Sequence, residues 1–178
     1  RRGRSERWPL IAPPVLLVLL LALPALLLVY QFPEERRINV GGGIDGFYLR
    51  GVFATERGAG TDFRWLSDGS QIVLPAAPGD STWTANLRLS GERPPGVAMP
   101  TVTVLADGQR VAQFQTIQAF KDYIFTFRRE SLPPEDLTLT IESETFDPPG
   151  EEDNRPLGVA LDSFTLTPQH SGPVQPLL

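Results

Sequence analysis

The densest chemistry in this chain is a run of carboxylates in one loop. Asp147, Glu151, Glu152 and Asp153 offer four hard oxygen donors, the donor type that Ca2+ takes. Their spacing lacks the alternation of a defined calcium loop. A solvated acidic loop is therefore the simpler expectation, and no metal or other cofactor is assigned. Paired carboxylates also serve glycoside hydrolysis, where an acid and a base or nucleophile stand at a fixed separation. Here Asp45, Asp62, Asp68, Asp80, Asp107, Asp136 and Asp153 all fall in turn-like contexts, where Asp caps backbone groups. His170, the sole histidine, lies in a Pro-rich stretch without the partners that a triad or a metal site requires. Cysteine is absent, which excludes thiolate nucleophiles, Cys-ligated zinc and iron–sulfur clusters.

Two further patterns are informative. Gly41, Gly43 and Gly46 spell G-x-G-x-x-G, but that motif cradles a pyrophosphate only between a strand and a helix. The sequence that follows is β-like, so a flexible linker is expected. Among the aromatics, Trp83 and Tyr123 fall in phase with inward positions. Trp65, beside Arg64 and the turn-like Ser67-Asp68-Gly69, is the exposed candidate for stacking on a sugar face, with Tyr48 as a second. No catalytic residue is assigned, and the chain is expected not to be an enzyme.

The element that decides where these groups work is an uncharged run, residues 10–32, in which ten of 23 residues are Leu. As a helix it would reach about 35 Å, enough for a bilayer core of about 30 Å. Trp8 and Tyr30 stand at its ends as interfacial aromatics, and Pro24 is a kink of the kind lipid-embedded helices tolerate. A cleaved signal peptide has a shorter apolar core and a small-residue exit, whereas the exit here is bulky. Arg1, Arg2, Arg4 and Arg7 precede the run, so the positive-inside bias puts the N-terminus in the cytoplasm. The expectation is a single-pass protein of the cell membrane. It has a basic stub (1–9), a membrane helix (10–32), a linker (33–45), an extracytoplasmic domain (46–167) and an irregular tail (168–178).

Beyond the run the chain carries 12 basic against 20 acidic residues, a net −8. That excess argues against nucleic acid, which requires a basic patch. The sequence there alternates as strands do. Residues 82–90 put Trp83, Ala85, Leu87 and Leu89 on one face, and residues 137–142 do the same with Leu137, Leu139 and Ile141. Residues 123–127 place three aromatics on one face. Asp107-Gly108 between two apolar runs marks a tight hairpin, because its turn needs positive φ. Strands are also expected at 47–53, 71–74 and 159–166, the last with a bulge near Asp162 or Ser163. About eight short strands separated by Pro/Gly/Asp clusters predict an all-β, antiparallel, jelly-roll-like β-sandwich.

The runs FRWLSDGSQIVLP, PTVTVLADGQRVAQF and TIESETFDPPGEEDNRPLGVALDSFTL carry a resemblance. They look like the extracytoplasmic jelly-roll-like domain of bacterial family 39-like (dolichyl-phosphate-mannose-type) membrane glycosyltransferases. The resemblance covers about residues 47–167. Its most telling part is Thr145-Phe146, then a Pro/Gly/acidic loop, then Arg155 and Leu157-Gly158-Val159. Such transferases carry catalysis on an acidic loop between early membrane spans, so the resemblance implies a β-sandwich and transfers no catalytic residue. The expected function is a non-catalytic accessory module, with the lipid bilayer and other membrane subunits as partners. The alternatives are a cell-surface glycan-binding module and the N-terminal segment of a polytopic glycosyltransferase.

Overall fold

The structure, a computed structural model, describes residues 35–58, 60–77, 81–130, 135–148 and 153–169, with seven further residues of a helix between Val15 and Pro24. Trp8 and Tyr30 lie outside the described residues. Val15, Leu17, Val18, Leu20, Leu21, Ala22 and Pro24 are helical, but among the described residues no helix is long and apolar enough to cross a membrane.

Nine strands make up the unit Glu34–Gln175: β1 (Arg36–Asn39), β2 (Leu49–Gly58), β3 (Thr61–Ala77), β4 (Ser81–Ser90), β5 (Thr101–Ala106), β6 (Gln109–Gln115), β7 (Lys121–Arg129), β8 (Glu135–Ser143) and β9 (Ala160–Gln169). All described pairings are antiparallel. One layer runs β2-β3-β8-β5-β6 and the other β1-β9-β4-β7. Apart from the β5–β6 hairpin, successive strands from β3 onward alternate between layers, which is the jelly-roll path. The two layers bury a common core. Trp83, Leu87 and Leu89 of β4 and Phe164 and Leu166 of β9 meet Ile72 and Leu74 of β3, Val102 and Val104 of β5 and Leu137, Leu139 and Ile141 of β8. The alternation read from the sequence is thus the inside–outside alternation of these strands.

Three expected details hold. Asp107 and Gly108 both have positive φ (48° and 82°) and close the β5–β6 hairpin. The β4–β9 register slips between Arg88 and Leu89, leaving Asp162 as the extra residue of a bulge. Its carboxylate accepts from Arg88 Nε at 2.7 Å and Thr61 Oγ1 at 3.0 Å, so the bulge is tied on both sides. Phe125 and Phe127 of β7 pack against the common core with Tyr123.

Three expectations need correction. Ser67-Asp68-Gly69 is not a turn between strands. It is a bulge within β3, whose 17 residues serve both layers. Residues 67–70 intervene between the pairs Val52↔Leu66 and Arg50↔Gln71, opposite the single residue Gly51. Gly51 (φ 68°) and Gly69 (φ 71°) take left-handed conformations there, and Ser67 and Ser70 both donate their hydroxyls to the Gly51 carbonyl. Before this corner β3 pairs with β9 and after it with β8. Second, residues 35–45 are not a free linker, and residues 33 and 34 lie outside the described residues. Arg36–Asn39 form β1 on β9, and Val40 N–H donates to the Asp162 carbonyl at 3.0 Å. The sandwich therefore begins at β1, because Ile38 and Val40 are apolar enough to join the core. Third, Phe47 is not in a strand. It ends a short 3-10 turn, Asp45–Phe47, and β2 starts at Leu49.

That turn is pinned by a buried charge. Asp45 is 1% exposed and accepts from Arg64 Nε at 2.7 Å. Arg64 also donates through Nη1 to the Phe53 carbonyl at 2.9 Å. Burial pushes the Asp45 carboxyl up, but the Arg64 hydrogen bond, the Gly41 N–H and the Arg64 charge outweigh it and hold the group below its ordinary value.

Two outcomes test this construction. A Cβ at Gly158 would lie 2.6 Å from Ser143 Oγ and 2.8 Å from the Leu66 carbonyl oxygen. Gly158→Ala should lower stability by about 2 kcal/mol in urea unfolding, and Ser143→Ala should rescue it only partly, because the backbone contact remains. Because the folded-state pKa of Asp45 is depressed, its contribution is complete above the ordinary carboxylate range and is lost as pH falls through the folded value. Asp45→Asn should cost about 3 kcal/mol at pH 7. The gap between wild type and variant should close below about pH 4, as read from urea midpoints.

Candidate functional site

The sequence-derived candidates end up in different places. Trp65 is 7% exposed, which corrects its assignment as a surface platform. On β3 it alternates with Leu66, which faces the common core, so Trp65 projects from the other side of the sheet. There the segment between β8 and β9 covers it. Phe146 meets it edge-on at 5.9 Å, Phe63 stands perpendicular to it at 6.0 Å, and Leu157 and Ala160 complete a second small core. Buried Arg93 closes this cluster, its guanidinium 4.4 Å from the Phe146 ring centre and donating to the Glu144 carbonyl at 2.7 Å. Tyr48 is half-buried against the common core.

The acidic loop does not form a calcium cage among the described residues. Asp153 engages Arg155 with both oxygens, to Nε at 2.8 Å and Nη2 at 2.7 Å, and Arg155 reaches Glu56 at 2.8 Å. The Arg155 hydrogen bonds hold the Asp153 carboxyl below its ordinary value, and bonds to Asp153 and Glu56 raise the guanidinium pKa. A carboxylate already neutralised by a fixed cation is a poor first ligand. Asp147 is exposed, Glu151, Glu152 and His170 lie outside the described residues, and among those described no cluster of three acidic or histidine groups could hold a metal.

A different group of residues does converge. A groove of about 280 Å3 is lined by Asp68, Thr101, Thr103, Gln113, Glu142, Ser143 and Glu144. Three strands supply its floor. Thr103 of β5 faces Gln113 of β6 on one side and Glu142 of β8 on the other, so hydroxyl, amide and carboxylate form one row across the sheet. Gln113 Nε2 donates to Thr103 Oγ1 at 3.3 Å. The β3 bulge delivers Asp68, whose Oδ1 accepts from Ser143 N–H at 3.1 Å. Glu144 accepts from Thr101 N–H at 2.7 Å.

This pattern narrows the chemistry. Two of the three carboxylates are tied to backbone amides, which leaves Glu142 as the acidic group open to a ligand. Hydroxyl, carboxamide and carboxylate groups together can both donate and accept, as a polyhydroxylated ligand requires. The row escaped sequence reading because Thr101, Thr103, Gln113 and Glu142 fall on the polar side of alternating strands, the side that ordinarily faces water. The signal was the hairpin: Asp107-Gly108 fixes a register in which Thr103 must face Gln113.

No protein-family model matches the chain, and no curated protein matches it. Nothing in these comparisons supports the resemblance to family 39-like glycosyltransferases; the β-sandwich that it implied is present. Similar solved structures do exist. The ANX2 ectodomain from Arabidopsis thaliana shares 8% identity over 74% of this chain and 48% of its own length, with a TM-score of 0.50. A family 35 carbohydrate-binding module from Clostridium thermocellum shares 9% over 75% of this chain and 97% of its own (TM-score 0.47). The C-terminal CBM6 of LamC, a marine laminarinase from Zobellia galactanivorans, shares 12% over 75% and 99% (TM-score 0.46). At 8% identity the likeness to the ANX2 ectodomain is one of fold alone.

Proposed function

We propose that this chain is a glycan-binding module whose β-sandwich takes a polyhydroxylated ligand in the β5–β6–β8 groove, and that the uncharged run 10–32 tethers it to a membrane. The groove row Gln113–Thr103–Glu142 carries the first part. Sugar hydroxyls pair with such groups at little desolvation cost in an open groove, and each ligand bond contributes about 1 kcal/mol net. The row offers no general acid paired with a base, since Asp68 and Glu144 are committed to the backbone. Binding without turnover is the chemistry this arrangement supports. The length and lack of charge of the 10–32 run support the tether. No observation favours the accessory-subunit reading over the glycan one.

The test is a glycan array probed with the detergent-solubilised full chain, followed by titration calorimetry on the oligosaccharides retained. Gln113→Ala and Glu142→Ala should each weaken binding about tenfold, equivalent to about 1.4 kcal/mol, with unchanged thermal unfolding. Wild-type protein that retains no oligosaccharide, or variants that bind as well as wild type, would refute the groove as the site.

A further inference from the structure

The β5–β6–β8 groove carries charge of one sign. Asp68, Glu142 and Glu144 line it, and no basic side chain does. Asp68 gives only Oδ1 to the Ser143 N–H, and Glu144 only Oε2 to the Thr101 N–H. Among the described residues, one oxygen of Asp68, one of Glu144 and both of Glu142 are left to accept from a ligand. Gln113 spends an N–H on Thr103 Oγ1, which leaves its carbonyl oxygen as a further acceptor. Acceptors therefore outnumber donors. The neighbouring cations are held elsewhere. Arg93 is 5% exposed and fixed on the backbone carbonyls of Glu92 and Glu144. Arg110 of β6 stands opposite Leu105, one row further along the sheet. Nor do the acids converge on a point. Glu142 and Glu144 are two residues apart, about 7 Å along an extended chain, and Asp68 comes from β3. Among the described residues no three acidic groups could share one metal ion. Carboxylates spread in this way match positive charges that are also spread.

We propose that the groove selects glycans that bear protonated amines, a glucosamine-type oligomer with one ammonium on each ring. This selection rests on the glycan-binding groove proposed above. An ammonium donates three hydrogen bonds and accepts none, which suits a surface rich in acceptors. Its bonds to carboxylates are charge-assisted and roughly twice as strong as those of the hydroxyl it replaces. An amine repeated along the chain lets successive rings meet separate carboxylates, which a single ion cannot do. Thr103 and Gln113 pair with the hydroxyls that flank the amine. Uronates and sulfated sugars carry the sign already present and are repelled. The net −8 of the chain beyond the 10–32 run adds a field of the same sign at longer range. That field attracts any cation. The hydroxyl and carboxamide beside Glu142 are what favour an amino sugar over a bare polyamine.

The test uses β-1,4-linked tetramers that differ at one position of each ring: cellotetraose (hydroxyl), the N-acetylglucosamine tetramer (amide) and the glucosamine tetramer (amine). Each is titrated by calorimetry into the full chain in an uncharged detergent without a sugar headgroup, at about pH 6, where the amine is protonated. At low salt the glucosamine tetramer should bind about fivefold more tightly than either of the others, the upper end for one exposed ion pair. The advantage should vanish at about 1 M NaCl, where the screening length falls to about 3 Å. Glu142→Gln keeps the hydrogen-bonding shape but not the charge. It should erase the advantage and leave cellotetraose affinity within about twofold. Equal binding of the amine and hydroxyl tetramers would overturn amine selection and leave the glycan reading standing. So would a failure of all three while the glycan array retains other oligosaccharides. If array and tetramers alike give nothing, the glycan reading fails and amine selection with it. An advantage that survives Glu142→Gln, or tetralysine bound as tightly as the glucosamine tetramer, would also overturn the proposal.

Discussion

The corner in β3 is the constraint on which the sandwich depends. One strand must serve both layers, so it must change direction without breaking its hydrogen bonding. The chain does this by setting residues 67–70 against the single residue Gly51 and tying both sides with serine hydroxyls. The backbone of the final segment locks the corner from behind, with Leu66 N–H donating to the Val159 carbonyl and Gly158 N–H to that of Leu66. No side chain fits between those strands at position 158. Just before the bend, alternation sends Leu66 into the common core and Trp65 into the second cluster, and the bend itself delivers Asp68 to the groove. The corner and the groove lining thus share one geometric origin.

Electrostatics in this domain mostly serve loops. Arg64, Arg129 and Arg155 each hold a turn or a connecting segment: Arg64 through Asp45, Arg129 through Asp107 and the Ala77 carbonyl, Arg155 through Asp153 and Glu56. The guanidinium suits this task because its fork can bridge a carboxylate and a carbonyl at once. In a chain without disulfides these forks do part of the fastening that cross-links do elsewhere. Asp153, one of the acidic residues that read as possible metal ligands, is thereby consumed as a loop anchor. The carboxylate left open at the groove, Glu142, belongs to a strand.

Much of the fold was legible because strand alternation is a local signal. Trp83, Leu87, Leu139 and Ile141 announce their inward faces, and Asp107-Gly108 announces its turn through positive φ. The slip at Asp162 was readable for the same reason, since a broken alternation means an inserted residue. What could not be read depended on distant partners. Ser67-Asp68-Gly69 has the composition of a turn, and only Gly51 opposite makes it a bulge. Trp65 looks exposed beside Arg64, and only the segment carrying Phe146 and Leu157 covers it. The four residues of β1 become a strand only because β9 offers them an edge. The groove is a property of three strands in register, which no single segment displays.

The strand order also fixes when this domain can form. β9, the last strand in the chain, lies between β1 and β4 and touches the first half of β3. Its ladders close loops of seventy residues or more, while the short-range pairings are the hairpins β2–β3 and β5–β6. Such long-range closure is slow relative to local pairing. During synthesis, therefore, β1, β3 and β4 must each wait with an unfilled edge until the ribosome has delivered the ten-residue β9, and the nascent domain is at its most vulnerable just before that strand docks.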